Sequence, residues 1–333
     1  MRAIVYDRTG APPVLRDVAD PICPPDGAIV EVKATGICRS DWHAWRGHDP
    51  VRLPHVPGHE FAGVVAQVGD QVTGFGPGER VTAPFVNGCG RCEWCRAGRA
   101  QVCPDQTQPG FTHWGSFAER VVVRAADTNL VRLPDSLDFV GAAALGCRFA
   151  TAFRALTGHG PLHPDAVVAV FGAGGVGLSA IMVAVALGHR VAAVDPSPAA
   201  NAMAASLGAV IVHEVVEEAD VAIDAYGSAV TALASVRSLR RGGRHVQVGL
   251  MLGSDAHAPL PWDLVVAREL HVVGSHGMAA ADYPAMLELV ADGRLKPQRL
   301  VGNVIPLEQA GVELTAMDSP IPARSGTVVA VNE

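Results

Sequence analysis

Four cysteines, Cys89, Cys92, Cys95 and Cys103, form a C-x2-C-x2-C-x7-C string in a loop dense in Gly and Arg. Thiolates at this spacing can close a tetrahedral shell around Zn2+ and leave no position for a substrate, so the chemistry implied is structural. An iron–sulfur cluster also takes four cysteines, and buried thiols are the plainer alternative. A polar loop is poor core material, and the spacing favours zinc.

The second string is Gly172-Ala173-Gly174-Gly175-Val176-Gly177. Alone it could be a tight turn with close packing. Here it follows an apolar run, 167–171, and opens an alanine-rich segment, the order that lets backbone N–H groups meet a pyrophosphate at the positive end of a helix. Asp195 ends the next apolar run, about twenty residues on, where a carboxylate accepts from both ribose hydroxyls and repels a 2′-phosphate. That favours NAD over NADP. The alternative for Asp195 is a solvated turn residue before Pro196.

Three further groups are scattered: Cys38 in the segment 35–43 (TGICRSDWH), His59 in Gly58-His59-Glu60, and Cys147 in 145–151 (LGCRFAT). Singly, each cysteine could be a small core residue and His59 an ordinary partner of Glu60. Cys23 belongs to no set and reads as structural.

The elements that must position these residues change texture near residue 148. Before it lie short β-type runs, 28–32, 61–68 and 117–123, broken by Gly and Pro, which predict an irregular, mostly antiparallel β domain. After it, apolar runs at 167–171, 191–194, 209–212, 221–223, 244–248 and 271–273 alternate with helical segments to Leu187, to Leu207 and over 229–239. This α/β rhythm predicts a doubly wound parallel sheet. A helix at 283–291 and a strand at 327–331 follow, and no internal repeat stands out.

The chain has 333 residues, 49% of them hydrophobic and 18% charged, enough for two domains with a large core and far from a disordered composition. A net charge of −7 offers no cationic surface for nucleic acid or anionic lipid. The N-terminal residues carry no apolar signal core, and no stretch reaches the ~20 residues of a membrane span. A cytoplasmic protein with reduced cysteines is the expectation. Only Lys33 and Lys296 are lysines, and that bias towards arginine, with abundant alanine, points to a GC-rich bacterial genome.

With these motifs in this order, the sequence resembles, nearly end to end, the zinc-dependent alcohol dehydrogenases of the medium-chain dehydrogenase/reductase family. The resemblance implies a GroES-like catalytic domain over 1–148, a Rossmann coenzyme domain over 149–276 and a return segment over 277–333. It implies that Cys38, His59 and Cys147 bind a catalytic zinc, with Glu60 an alternating ligand or a near neighbour. Asp41 would orient the histidine, since a ligating imidazole usually gives its other N–H to a carboxylate. With the four-cysteine site this makes two zinc ions per chain. Some polyol- and threonine-oxidising relatives carry a glutamate where Cys147 stands, so the cysteine points to the alcohol dehydrogenases.

Three ligands leave zinc a position for an alcohol, whose ionisation it favours, so that hydride can pass to the nicotinamide; in reverse an aldehyde or ketone is reduced. Ser40 matches the hydroxyl that bonds the alcohol, and His43 the solvent end of a proton relay, i and i+3 on a short helix. The alternative for His43 is an exposed helix histidine. Arg39 matches a pyrophosphate contact, otherwise a solvated charge, and Thr151 a nicotinamide contact. Val248, Gly249, Leu250, Ser275 and His276 match further cofactor contacts, or else ordinary sheet packing. Trp42, Phe85, Trp114 and Phe117, with Leu250 and His276, stand at or beside alcohol-pocket positions, though each could be core. If several line it, the pocket fits a medium-chain, cyclic or aromatic alcohol better than ethanol or a polyol. A homodimer or homotetramer is implied, and the short chain favours the tetramer. The competing readings are a zinc-free quinone or enone reductase, which lacks both cysteine sets, a polyol or amino-alcohol dehydrogenase, and a cofactor-binding protein without turnover.

Overall fold

The computed structural model describes residues 1–319 and 327–332. Contacts divide the chain into two compact units, Met1–Ala150 with Gly277–Glu333, and Thr151–His276.

The first unit is built on a sheet whose order is Val301–Pro306, Thr327–Val331, Ala28–Ile37, Glu60–Val68, Arg80–Thr82 and Val131–Arg132; Arg120–Val123 also pairs with Ala28–Ile37. Its pairs are antiparallel except for Val301–Pro306 with Thr327–Val331. Ala28–Ile37 is the central strand, and eight of its ten residues are buried, so it reads as a near-continuous apolar run. It is longer than the predicted 28–32 because Ala34, Thr35, Gly36 and Ile37 continue the ladder against Thr327–Val331. The predicted strand 117–123 starts only at Arg120: Phe117 and Ala118 are spent on the apolar core that also holds Tyr6, Trp45 and Leu314.

The end of this central strand sets the geometry that matters. Gly36 pairs with Glu60, so the residues just beyond Ile37 and just before Glu60 come side by side. At that point the chain turns into the helix Arg39–Arg46 with Cys38 as N-cap, in extended backbone conformation. Asp41 lies in its first turn, where a carboxylate suits the positive helix end, and Gly47 closes it in the left-handed conformation.

The second unit holds a six-stranded, all-parallel sheet ordered Val210–Ile211, Arg190–Val194, Val167–Phe171, Ala219–Asp224, Leu239–Gln247 and His271–Gly274. Numbered by sequence this is 3-2-1-4-5-6, the doubly wound order that leaves a ligand crevice beyond the carboxyl ends of the strands. The helix predicted over 229–239 stops at Arg237, and Leu239 instead opens a strand whose register with Ala219–Asp224 shifts past Gly242 and Gly243. Among the described residues no helix is long and apolar enough to cross a membrane.

The helix Gly175–Ala186 starts hard against its preceding strand. A Cβ on Gly177 would stand 1.8 Å from the Gly172 carbonyl oxygen, so any side chain must push the helix away. Gly177→Ala is expected to cost about 1–3 kcal/mol of stability through overpacking and to weaken dinucleotide binding, read by thermal denaturation with and without cofactor; an unchanged transition in both would contradict the close approach.

Candidate metal centre and dinucleotide turn

Donor atoms of Cys38, His59, Glu60 and Cys147 lie within 4.8 Å of one another. Cys38 is 3% exposed and His59 not at all. Asp41, also fully buried, organises both: one oxygen accepts the Gly58 N–H and His59 Nδ1–H, each at 2.9 Å, and the other accepts the Cys38 N–H at 3.0 Å. His59 Nε2 is left buried without a hydrogen-bond partner, aimed where a metal would satisfy it. Burial disfavours a charged imidazole, yet the charge and hydrogen bond of Asp41 outweigh it and hold His59 well above its ordinary value, making the ring a strong donor. The hydrogen bond from Cys147 holds Cys38 well below the usual thiol range, while Cys147 is pushed well above it. The two sulfurs thus divide one proton, which a bound metal would displace. Two sulfurs and an imidazole suit zinc, and the orphaned nitrogen fits its presence.

Glu60 is fully buried, and burial lifts its carboxyl above the ordinary range against the opposing charge of Arg148. Arg148, overlooked in the sequence because it merely follows Cys147, pairs with both Glu60 oxygens. Phe111 and Phe85 wall the histidine, their ring centroids 5.2 and 6.0 Å from that of His59; Phe85 is among the residues expected at the alcohol pocket, and Phe111 is not. Ser40 Oγ lies 3.9 Å from the Cys38 sulfur. His43 Nδ1 lies 2.9 Å from His48 Nδ1, a partner the sequence did not single out. Arg39 donates to the Met317 carbonyl at 2.8 Å, and its guanidinium covers the Trp42 ring. Trp42 Nε1 donates to Asp318.

Phe117 corrects an expectation: it is fully buried in the apolar core, which leaves it no face for a substrate. Trp114 lines a surface cleft with Met1, Pro21 and Ile22 and donates Nε1–H to the Pro54 carbonyl.

Cys89, Cys92, Cys95 and Cys103 also converge, all four sulfurs within 4.8 Å of one another. Cys92 Sγ is 3.5 Å from Cys95 Sγ and 3.7 Å from Cys103 Sγ. The Arg91 backbone N–H brings the Cys89 thiol down to about 6, and burial sends Cys95 up to about 12. Asn129, buried and 41 residues away from Gly88, exchanges two hydrogen bonds with it and so fixes the start of the loop. Cys23 stands apart, its thiol near the Pro24 and Gly27 carbonyls.

In the second unit the Gly172–Gly177 turn leads into the helix Gly175–Ala186, with Gly174 as N-cap. Asp195, just past the strand Arg190–Val194, has one oxygen on the Ala173 N–H at 2.7 Å and the other on the Ser197 N–H at 2.8 Å, tying the turn to the end of that strand. Beside it lies a cleft of about 650 Å3 lined by Val194, Asp195, Pro198, Asn201, Ile211 and His213 among others, with no Lys or Arg among the described residues that line it. Val248 and Gly249 give their N–H groups to the Asp224 carbonyl, and Leu250 beside them is half exposed. The hydroxyls of Thr151 and Ser275 are buried without partners, as donors awaiting a ligand would be. His276, the next residue, is partly desolvated, which lowers its pKa.

Removing the Asp41 carboxylate strands three N–H groups at the metal-facing turn. Asp41→Ala is expected to weaken metal retention by about 10–100-fold, measured by competition with a chelator; retention equal to the parent protein would show that His59 needs no such partner.

Residues 24–135 match the alcohol dehydrogenase GroES-like domain, and residues 175–292 match the zinc-binding dehydrogenase family. An alcohol dehydrogenase of Geobacillus stearothermophilus is 33% identical over 323 residues, 92% of this chain and 93% of that one. The solved alcohol dehydrogenase TADH from Thermus sp. ATN1 superposes with a TM-score of 0.89 at 32% identity, covering 99% of each chain. A zinc-binding dehydrogenase fold from Sinorhizobium meliloti 1021, solved bound to NADP, gives 0.87 at 27% identity and 99% of each chain. With a GroES-like domain, a Rossmann sheet and this extent of likeness, the chain belongs to the zinc-type alcohol dehydrogenases of the medium-chain dehydrogenase/reductase family.

Proposed function

We propose that this protein is an NAD-dependent alcohol dehydrogenase with two zinc ions per chain, interconverting an alcohol and its aldehyde or ketone. The observation that carries the reading is the convergence of Cys38, His59 and Cys147 on one buried point with Ser40 beside it. Those three residues would hold the catalytic metal, and Cys89, Cys92, Cys95 and Cys103 the structural one. A zinc ion held there supplies Lewis acidity, making an oxygen at its remaining position more acidic.

The chain's own groups then handle the proton. Ser40 Oγ accepts it from the alcohol while its own hydroxyl proton passes on, and His43, one helical turn on, takes up the proton released and gives it to solvent. Burial first, and the neighbouring His48 after it, hold His43 below its ordinary value, so the ring is neutral and able to accept at neutral pH. The paired histidines extend the route outward. The Gly172–Gly177 turn would take the pyrophosphate, with Arg39, Val248, Gly249, Leu250, Ser275 and His276 as further contacts and Thr151 against the nicotinamide.

NAD is favoured over the NADP found in the Sinorhizobium meliloti chain because Asp195 brings a carboxylate to the ribose end and, among the described residues, no Lys or Arg lines the cleft beside it. Phe85 and Phe111, with Trp42 near the relay, support an apolar alcohol of medium-chain, cyclic or aromatic type. The domain limits that go with this reading are 1–148, 149–276 and 277–333; residues 320–326 and 333 lie outside the described residues. A homo-oligomer, tetramer before dimer, belongs to the same reading; the edge strand His271–Gly274, paired on one side only among the described residues, leaves a ladder open to a second copy without choosing between the two. All seven cysteines are free, in keeping with a reducing cytoplasm.

Metal analysis with a panel of alcohols tests the proposal. Two zinc ions per chain, NADH formation faster than NADPH formation, and benzyl alcohol or hexanol ahead of ethanol and sorbitol are expected. One metal ion without turnover would instead mark a cofactor-binding protein, and a clear preference for sorbitol or ethanol would overturn the pocket reading. In a second experiment, His43→Gln should slow alcohol oxidation mainly at neutral pH and below, with little loss of metal, the deficit closing in alkali as hydroxide takes the proton. Unchanged rates across the pH range would remove His43 from the relay.

A further inference from the structure

Glu60 raises a question of charge. Its carboxylate lies within 4.8 Å of the Cys38, His59 and Cys147 donor atoms, and carboxylate oxygens are good zinc ligands. Two thiolates already balance a zinc ion, so a third anion would blunt its Lewis acidity and take the place an alcohol needs. Something must hold this buried carboxylate elsewhere.

We propose that Arg148 is a positioning residue that latches Glu60 away from the metal and so keeps the remaining coordination place open to the alcohol; this rests on the zinc reading above. Both Glu60 oxygens are taken. Oε1 accepts the Arg148 backbone N–H and its Nε–H, each at 3.0 Å, and Oε2 accepts from the terminal guanidinium nitrogen of the same residue. A fork-on-fork pair of this kind fixes direction as well as charge. The pair is secluded, Arg148 being 12% exposed and Glu60 not at all, so little water competes for the carboxylate.

The seat is shaped for it. A Cβ on Gly36 would stand 2.5 Å from Glu60 Oε2 and 3.2 Å from the Arg148 guanidinium, and a Cβ on Gly146 would stand 2.6 Å from the Glu60 Cβ. Two glycines from separate segments therefore leave room for this carboxylate in this position. The latch is also part of the ligand frame: Arg148 directly follows Cys147, and its backbone N–H ties that turn to the strand that begins at Glu60.

A latch and a mere scaffold predict opposite signs. Freed by Arg148→Met, Glu60 turns onto the metal, so zinc leaves to a chelator more slowly than from the parent enzyme while kcat/KM falls by about 10–100-fold. Adding Glu60→Gln to that variant replaces the anion with a poor ligand and returns release to the parent rate or faster. Glu60→Gln alone, which removes the anion and offers the metal only a poor ligand, leaves the visible absorption of the cobalt-substituted enzyme unchanged. Faster zinc release from Arg148→Met, its failure to hold metal, or a changed cobalt spectrum in Glu60→Gln would each overturn the latch. A parent enzyme that binds zinc only at the four-cysteine site would defeat the zinc reading instead.

Discussion

Asp41 is a fully buried carboxylate whose oxygens take three N–H groups from two stretches of chain, Cys38 on one side and Gly58 with His59 on the other. A buried charge persists only when it is paired and hydrogen-bonded. Here the same bonds that make Asp41 tolerable set the backbone of one sulfur and the ring of the imidazole, and leave Nε2 facing inward. The candidate metal centre is therefore a consequence of how one helix N-terminus is capped. Cys38 is at once the N-cap and a candidate ligand, so the helix cannot start elsewhere without dismantling the site.

The sheet makes this economical. Pairing Gly36 with Glu60 brings His59 beside the exit to Cys38, and Arg148 brings the segment of Cys147 to the same place through Glu60. Each sulfur and the imidazole is thus supported by a carboxylate bonded to backbone, and loop mobility is not asked to supply precision. The four-cysteine loop follows the same logic with a neutral side chain, since Asn129 closes on both the N–H and the carbonyl of Gly88.

Much of this was legible in the sequence wherever the signal is local. The glycine turn, Asp195, the four-cysteine spacing and the texture change near residue 148 are short-range patterns, and their elements stand close to where periodicity put them. Boundaries failed where tertiary pairing overrides pattern: Ala28–Ile37 runs on because a C-terminal strand covers its far end, and Leu239 leaves its helix because Ala219 offers a ladder partner. Phe117 was misplaced for a related reason. A phenylalanine near a site reads the same whether it lines a cavity or closes the core, and only its neighbours decide. Arg148, Asn129 and Phe111 were missed because each acts across a long stretch of chain; the Arg148–Glu60 pair spans 88 residues. A charge beside a candidate ligand cysteine was the available signal, and nothing local says which carboxylate it meets.

In the proposed enzyme two sulfurs and one imidazole meet at a single metal ion, apart from the four-sulfur site. Zinc-edge X-ray absorption on the fully loaded protein reads both donor sets at once. An average of about three sulfurs per zinc at ~2.3 Å, with imidazole scattering at about 2.0–2.1 Å, is expected. A spectrum fitted by four sulfurs alone, with no nitrogen shell, would contradict it.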